Sequence, residues 1–219
     1  GDRYAKANRK LTRTQWVTAL DRLAYMGSRG MGALQFKPVI GADDAPPAPI
    51  QMASLVEAAR RAVSGSVAND AALQSLNRII EVGTSAGGAR AKAVIGWDRT
   101  QQRIISGQFD LPDGYEHWLL KFDGVGHDQQ LGPSQEYGRI EYAYHLMASA
   151  AGVAMAPCAL LEEGGRAHCV TRRFDRIGNQ RRHVQTLCAL AHVDYNLQAS
   201  NAYESLFLAA AELGLGDAA

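Results

Sequence analysis

The spacing of apolar and polar positions changes along the chain, and the changes divide it into three stretches. Over residues 12–26, Leu20, Leu23 and Ala24 recur at helical spacing, and Thr12 or Thr14 is placed to cap the first turn. Gly27–Gly32 reads as a tight loop and Ala33–Lys37 as a short strand. Pro46-Pro-Ala-Pro49 is a stiff spacer, after which helical periodicity returns over Gln51–Ser64 and Asp70–Ile80. From Lys92 onward the period is that of strands. Lys92–Trp97, Arg103–Gln108 and His117–Asp123 are short runs rich in β-branched and aromatic residues, separated by turns such as Pro112-Asp-Gly114. A helix is predicted over Gln135–Ala151, with Ser134 as its cap, Ile140, Tyr144 and Met147 on its apolar face, and Gly152 at its end. Pro157–Leu161 and Arg166–Phe174 read as a hairpin across Glu162–Gly165, and two further helices are predicted over Thr186–His192 and Ala202–Leu213.

This pattern predicts an α+β fold: a small mixed or antiparallel sheet between about Val82 and Phe174, one helix packed on it, and a helical segment before it. The boundaries it implies are 1–45, 46–81 and 82–219. With 219 residues, 47% hydrophobic and 21% charged, the chain has the balance of an ordinary globular protein. A formal net charge of +1 excludes a global field that would recruit nucleic acid or an anionic membrane. No run approaches the ~18 apolar residues of a membrane span. The three cysteines, Cys158, Cys169 and Cys188, form no CxxC pair. They read as reduced thiols of a cytoplasmic protein rather than a disulfide framework or a zinc site.

Candidate chemistry concentrates in two places. Gly83-Thr-Ser-Ala-Gly-Gly-Ala-Arg-Ala-Lys92 is a small-residue loop opening into a strand. Ser85, Ala86, Gly87, Gly88, Ala89 and Arg90 leave the backbone free to approach an anion, with Lys92 at the loop's end. It is not a Walker A loop, because Lys92 is followed by Ala93 and no hydroxyl stands ready for magnesium. Lys121 lies among Leu119, Leu120 and Phe122, and needs an anionic partner if it faces inward. Glu141 or Glu136 on the following helix can supply one. Thr171–Arg176 reads either as a solvated strand edge of weak Arg–Asp pairs or as a hinge beside a nucleotide base, with Phe174 against the ring. His183, His192 and Asp194 fit no ligand spacing.

Taken in order, six segments resemble the HipA family of serine/threonine kinase toxins. They are Leu20–Leu34, Gly83–Lys92, Trp118-Leu-Leu-Lys-Phe-Asp123, Arg139-Ile-Glu-Tyr-Ala-Tyr144, Thr171-Arg-Arg-Phe-Asp-Arg176 and Gln185–His192. The resemblance implies a kinase-like nucleotide lobe that takes ATP and Mg2+. It places Ser85 at the autophosphorylated position, Ser85–Lys92 on the ATP phosphates, Lys121 as the strand lysine with Glu141 as its helix partner, and Arg172 and Phe174 at the hinge near adenine. The family often has an acidic residue where Arg172 stands, so adenine contacts there are expected through backbone. It also implies a protein substrate, a HipB-like antitoxin partner, and DNA contact only through that antitoxin. The family's catalytic loop and metal-binding Asp would follow Ala219, so the chain is expected to be a nucleotide-lobe fragment without kinase activity of its own. The competing readings are a non-catalytic module that docks an antitoxin or another protein, and an unrelated phosphate-binding protein that reuses a glycine loop.

Overall fold

A computed structural model describes residues 18–40, 49–63, 91–125, 127–128, 132–133, 136–194 and 202–214. The predicted helix over Asp70–Ile80 and most of the glycine loop lie outside these residues. The chain divides into two compact units, 1–182 and 183–219.

Helix α1 spans Ala19–Met26, and residues 12–17, with the predicted caps Thr12 and Thr14, lie outside the described residues. Thr18 caps α1: its Oγ1 accepts the Asp21 N–H at 3.1 Å, and Asp21 returns the contact by accepting the Thr18 N–H at 2.8 Å. The segment expected to form a strand over Ala33–Lys37 is irregular. Its backbone turns toward α1 instead of a strand, with Phe36 N–H donating to Gly27 O and Ile40 N–H to Ala24 O.

The centre of the first unit is a five-stranded sheet of β1 (Lys92–Asp98), β2 (Arg103–Ser106), β3 (Glu116–Lys121), β6 (Cys158–Glu163) and β7 (Arg166–Arg172), in spatial order β2-β1-β3-β7-β6. Every pairing in it is antiparallel. The β6–β7 hairpin turns at Gly164 and Gly165, both at positive φ, where a Cβ would be strained. Two short two-stranded pieces accompany the sheet: β4 (His127–Asp128) with β5 (Gly132–Pro133), and β8 (Arg176–Ile177) with β9 (Gln180–Arg181).

Alternation of side chains along each strand gives the sheet two different faces. On one, Ala93, Ile95, Trp97, Trp118, Leu120 and Val170 pack against Leu55, Val56, Ala58 and Ala59 of α2 (Met52–Val63). Trp97 and Trp118 meet edge to face, 5.3 Å between ring centres. The other face carries Lys92 opposite Lys121, Lys121 opposite Cys169, and Cys158 opposite Thr171. The helix α3 (Tyr137–Ala150) lies on this second face, against β6 and β7. The architecture is α+β, a curled antiparallel sheet with a helix packed on it, consistent with a kinase-like nucleotide lobe.

The stripe Ile140, Tyr144 and Met147 does not face the sheet. These side chains are exposed, and α3 turns Gly138, Glu141, Tyr142, His145 and Ala148 inward. Gly138 explains part of the orientation: a Cβ there would overlap the carbonyl oxygen of Ala167, so the glycine lets the helix approach the β7 backbone closely. The helix ends with Ala151 as its cap and Gly152 just beyond at positive φ.

In the second unit, Thr186 caps the short α4 (Leu187–Leu190), its Oγ1 accepting the Ala189 N–H at 3.2 Å. The last helix is α5 (Tyr203–Glu212).

Candidate functional site

The period of two in Trp118–Asp123 puts Leu119, Lys121 and Asp123 on the face that meets α3. Lys121 Nζ reaches Glu141 Oε2 at 2.6 Å, with both side chains about one-third exposed. The glutamate is one turn into α3, which points it down onto the end of β3. Glu136 does not compete for the lysine. It is exposed at the N-cap position in a left-handed conformation, with no side-chain capping bond.

Lys92 stands directly across from Lys121 in the β1–β3 register and is buried. Burial lowers the pKa of its ammonium, as does the charge of Lys121, and Glu141 opposes both. The Lys92 and Lys121 ammonium groups and the Glu141 carboxylate thus lie at one end of the sheet. Residue 91, the last before β1, is held at the same end, where Phe122 N–H donates to Ala91 O at 3.2 Å. Lys92 is thus brought beside Lys121, whereas Ser85, Ala86, Gly87, Gly88, Ala89 and Arg90 lie outside the described residues.

Two residues that the sequence pattern did not single out complete this end of the sheet. Asp123 is buried and caps α3, while the predicted cap Ser134 lies outside the described residues. Its carboxylate accepts the N–H of Tyr137 at 3.0 Å and the N–H of Glu136 at 3.2 Å. Its own N–H donates to Nδ1 of the fully buried His168 at 2.9 Å. His168 is therefore held with Nδ1 as acceptor. Burial lowers its pKa against the opposing charges of Glu163 and Asp123. The signal for Asp123 was present in the sequence, because it stands two residues after Lys121 in a strand.

Arg172 and Phe174 sit apart from the lysine pair, at the far end of β7. Arg172 is exposed and pairs with Glu116 at 3.1 Å, and Phe174 is 63% exposed. The rest of Thr171–Arg176 is no solvated edge. Arg173, Asp175 and Arg176 are buried. Asp175 Oδ2 accepts from Arg173 at 2.6 Å, Arg176 at 2.7 Å and the Gly32 N–H at 2.8 Å. Arg176 also donates to Gly32 O, and Arg181 to Ser28 O. Burial pushes the Asp175 carboxyl up, but the Arg173 hydrogen bond, the Gly32 N–H and the two arginine charges outweigh it and hold the pKa at about 2. The segment thus ties the Gly27–Gly32 loop to the end of β7 and leaves Phe174 outside.

Among the described residues no group of three or more His, Cys, Asp or Glu could hold a metal ion, and no helix is long and apolar enough to cross a membrane. No curated protein and no solved structure matches the chain. The HipA-like C-terminal domain family matches residues 84–218, a stretch that contains the sheet, Lys92, Lys121, Glu141 and the Thr171–Arg176 segment. That match spans well over half of the sequence, and the chain belongs to the HipA family.

Proposed function

We propose that this chain is the ATP-binding part of a HipA-like serine/threonine kinase of a toxin–antitoxin system, which passes a phosphoryl group to a protein hydroxyl. The observation that carries the reading is the 2.6 Å pair of Lys121 and Glu141 across the β3–α3 contact, with Lys92 beside it. A strand lysine held by a helix glutamate is the arrangement by which kinases orient nucleotide phosphates. When bound, ATP supplies the phosphoryl group. Glu141 holds the Lys121 ammonium in one place, so that little reorganisation is needed when charge arrives. Lys92 adds a second, partly desolvated cation. Arg172 and Phe174 lie where the chain leaves β7, suited to the edge and face of a base. Mg2+ would bridge the ATP phosphates and neutralise their charge when bound.

Ser85 is the expected autophosphorylation site. A phosphate there carries close to two negative charges and competes with ATP phosphates for the same cations. The expected partners are a protein substrate and a HipB-like antitoxin, with DNA reached only through the antitoxin.

Titration with ATP tests this reading. The wild-type chain is expected to bind, and Lys121→Ala and Glu141→Gln to bind at least tenfold more weakly. Equal affinity in all three would reject the nucleotide site. The second reading, a non-catalytic docking module, is favoured by the exposed Ile140, Tyr144 and Met147 stripe on α3. It is the better account if ATP does not bind while charged substitutions along that stripe abolish antitoxin binding.

A further inference from the structure

Cys158 on β6 and Cys169 on β7 bring their sulfurs to 3.3 Å on the same sheet face as Lys121. Cys169 is buried, whereas Cys158 is partly open to solvent. Thr171 Oγ1 lies 3.7 Å from the Cys158 sulfur. We propose that Cys158 and Cys169 form an oxidant-sensitive dithiol, a covalent modification site for hydroperoxides. Cys158 is the attacking thiol and Cys169 the resolving one.

The environment separates the two roles. The hydrogen bond with Cys169, helped by Thr171 and the charge of His145, lowers the Cys158 thiol to about 6 against its burial. Cys169 is shifted the opposite way, by the same hydrogen bond and by burial. Cys158 is therefore the thiolate near neutral pH, and it is the accessible one.

The chemistry balances without further reactants. The Cys158 thiolate attacks one peroxide oxygen, the O–O bond breaks, and the departing hydroxide takes up a proton as water. Cys158 is left as a sulfenic acid. The Cys169 sulfur then attacks the sulfenic sulfur. The S–S bond forms, the S–O bond breaks, and the leaving hydroxide takes the Cys169 proton as a second water. Two thiols and one hydrogen peroxide give one disulfide and two waters.

The direct cross-strand partner of Cys158 is Thr171, and that of Cys169 is Leu160, so the two thiols are diagonal neighbours. Bond formation at about 2.05 Å brings the two sulfurs roughly 1.2 Å closer. Thiol reductants reverse such a bond by exchange, which makes the modification reversible. Because α3 packs on both strands, a shift of either strand on bond formation would reach the helix that carries Glu141.

The test is to treat the whole 219-residue chain with hydrogen peroxide and map its thiols, with Cys188 as the internal reference. The expected product is a Cys158–Cys169 disulfide that thiol reductants reverse. In Cys169→Ser, Cys158 should accumulate as a sulfenic acid that dimedone traps. Alkylation of Cys158 in the reduced wild type should reach half its plateau rate near pH 6, and Cys169→Ser should move that midpoint toward the ordinary thiol range, about 8.5. At pH 7 the gain over an ordinary thiol is only about threefold, since a lower pKa also lowers nucleophilicity. Oxidation of Cys158 no faster than Cys188, or a disulfide to Cys188 instead, would overturn the proposal. Amide exchange over Tyr137–Ala150 should speed up in the oxidised form, and unchanged exchange would reject the transmission to α3. None of these readouts depends on nucleotide binding.

Discussion

The carboxylate of Asp123 accepts the backbone N–H of Tyr137 at 3.0 Å, so the segment that ends β3 also starts α3. Lys121, two residues earlier, holds Glu141 one turn into the same helix. The helix is thus fastened at two points by Lys121, the last residue of β3, and Asp123 just beyond it. The distance between Lys121 and Glu141 depends on a capping bond that neither residue makes.

Asp123→Ala should therefore cost more than an exposed cap does. A lost cap costs about 1–2 kcal/mol, and this one also leaves two part-buried N–H groups without their acceptor. Urea unfolding measures the loss. On the nucleotide-site reading, ATP affinity falls too, although Asp123 is two residues away from the paired lysine.

Glu141→Gln should behave in the opposite manner. The ion pair is about one-third exposed at each end, so its removal should change stability by less than about 1 kcal/mol. The same variant should lose most of its ATP affinity. A large drop in melting temperature with unchanged binding would make the pair structural.

Gly138→Ala places a methyl group into the Ala167 carbonyl. The roughly 1 kcal/mol that alanine gains in a helix is smaller than the ~1–3 kcal/mol cost of forcing two packed backbones apart. The expected outcome is a net loss of stability and a longer Lys121–Glu141 separation, which a crystal structure of the variant would reveal.

Acid should destabilise the protein in two steps. Burial first, then the charge of Arg173, lowers His117 from 6.5 to about 4, while its contact with Asn179 opposes them. The unfolded chain therefore takes up this proton first, and stability falls as pH drops from about 6.5 to 4, by up to ~3 kcal/mol. Asp175 has a folded pKa of about 2 against 3.8. Its contribution, about 2 kcal/mol, is complete above the unfolded value and is lost as pH falls from about 4 to 2. Urea midpoints at a series of pH values check both windows, and His117→Asn should remove only the upper one.

Much of this was legible in the sequence, because strand alternation is local. Period two placed Lys92 and Lys121 relative to their apolar neighbours, and Gly164-Gly165 marked the hairpin. Helical spacing found α2 and α3 to within a residue or two. What it could not supply was the direction in which α3 faces. The stripe of Ile140, Tyr144 and Met147 looks like a buried face by periodicity, yet it is the outer one. A helix turns toward whatever contacts it can make. Here the close approach at Gly138, the Asp123 cap and the Lys121 pair are made with β3 and β7, strands distant in the chain. The same holds for Arg173, Asp175 and Arg176. Their composition suggests a solvated edge, and only the return of the Gly27–Gly32 loop, some 140 residues away, buries them. The sequence by itself determined most of the sheet's strands, the α3 helix and the alternation of side chains along each strand. Tertiary structure alone decided which charges meet, because pairing across elements depends on register and helix orientation that no local period encodes.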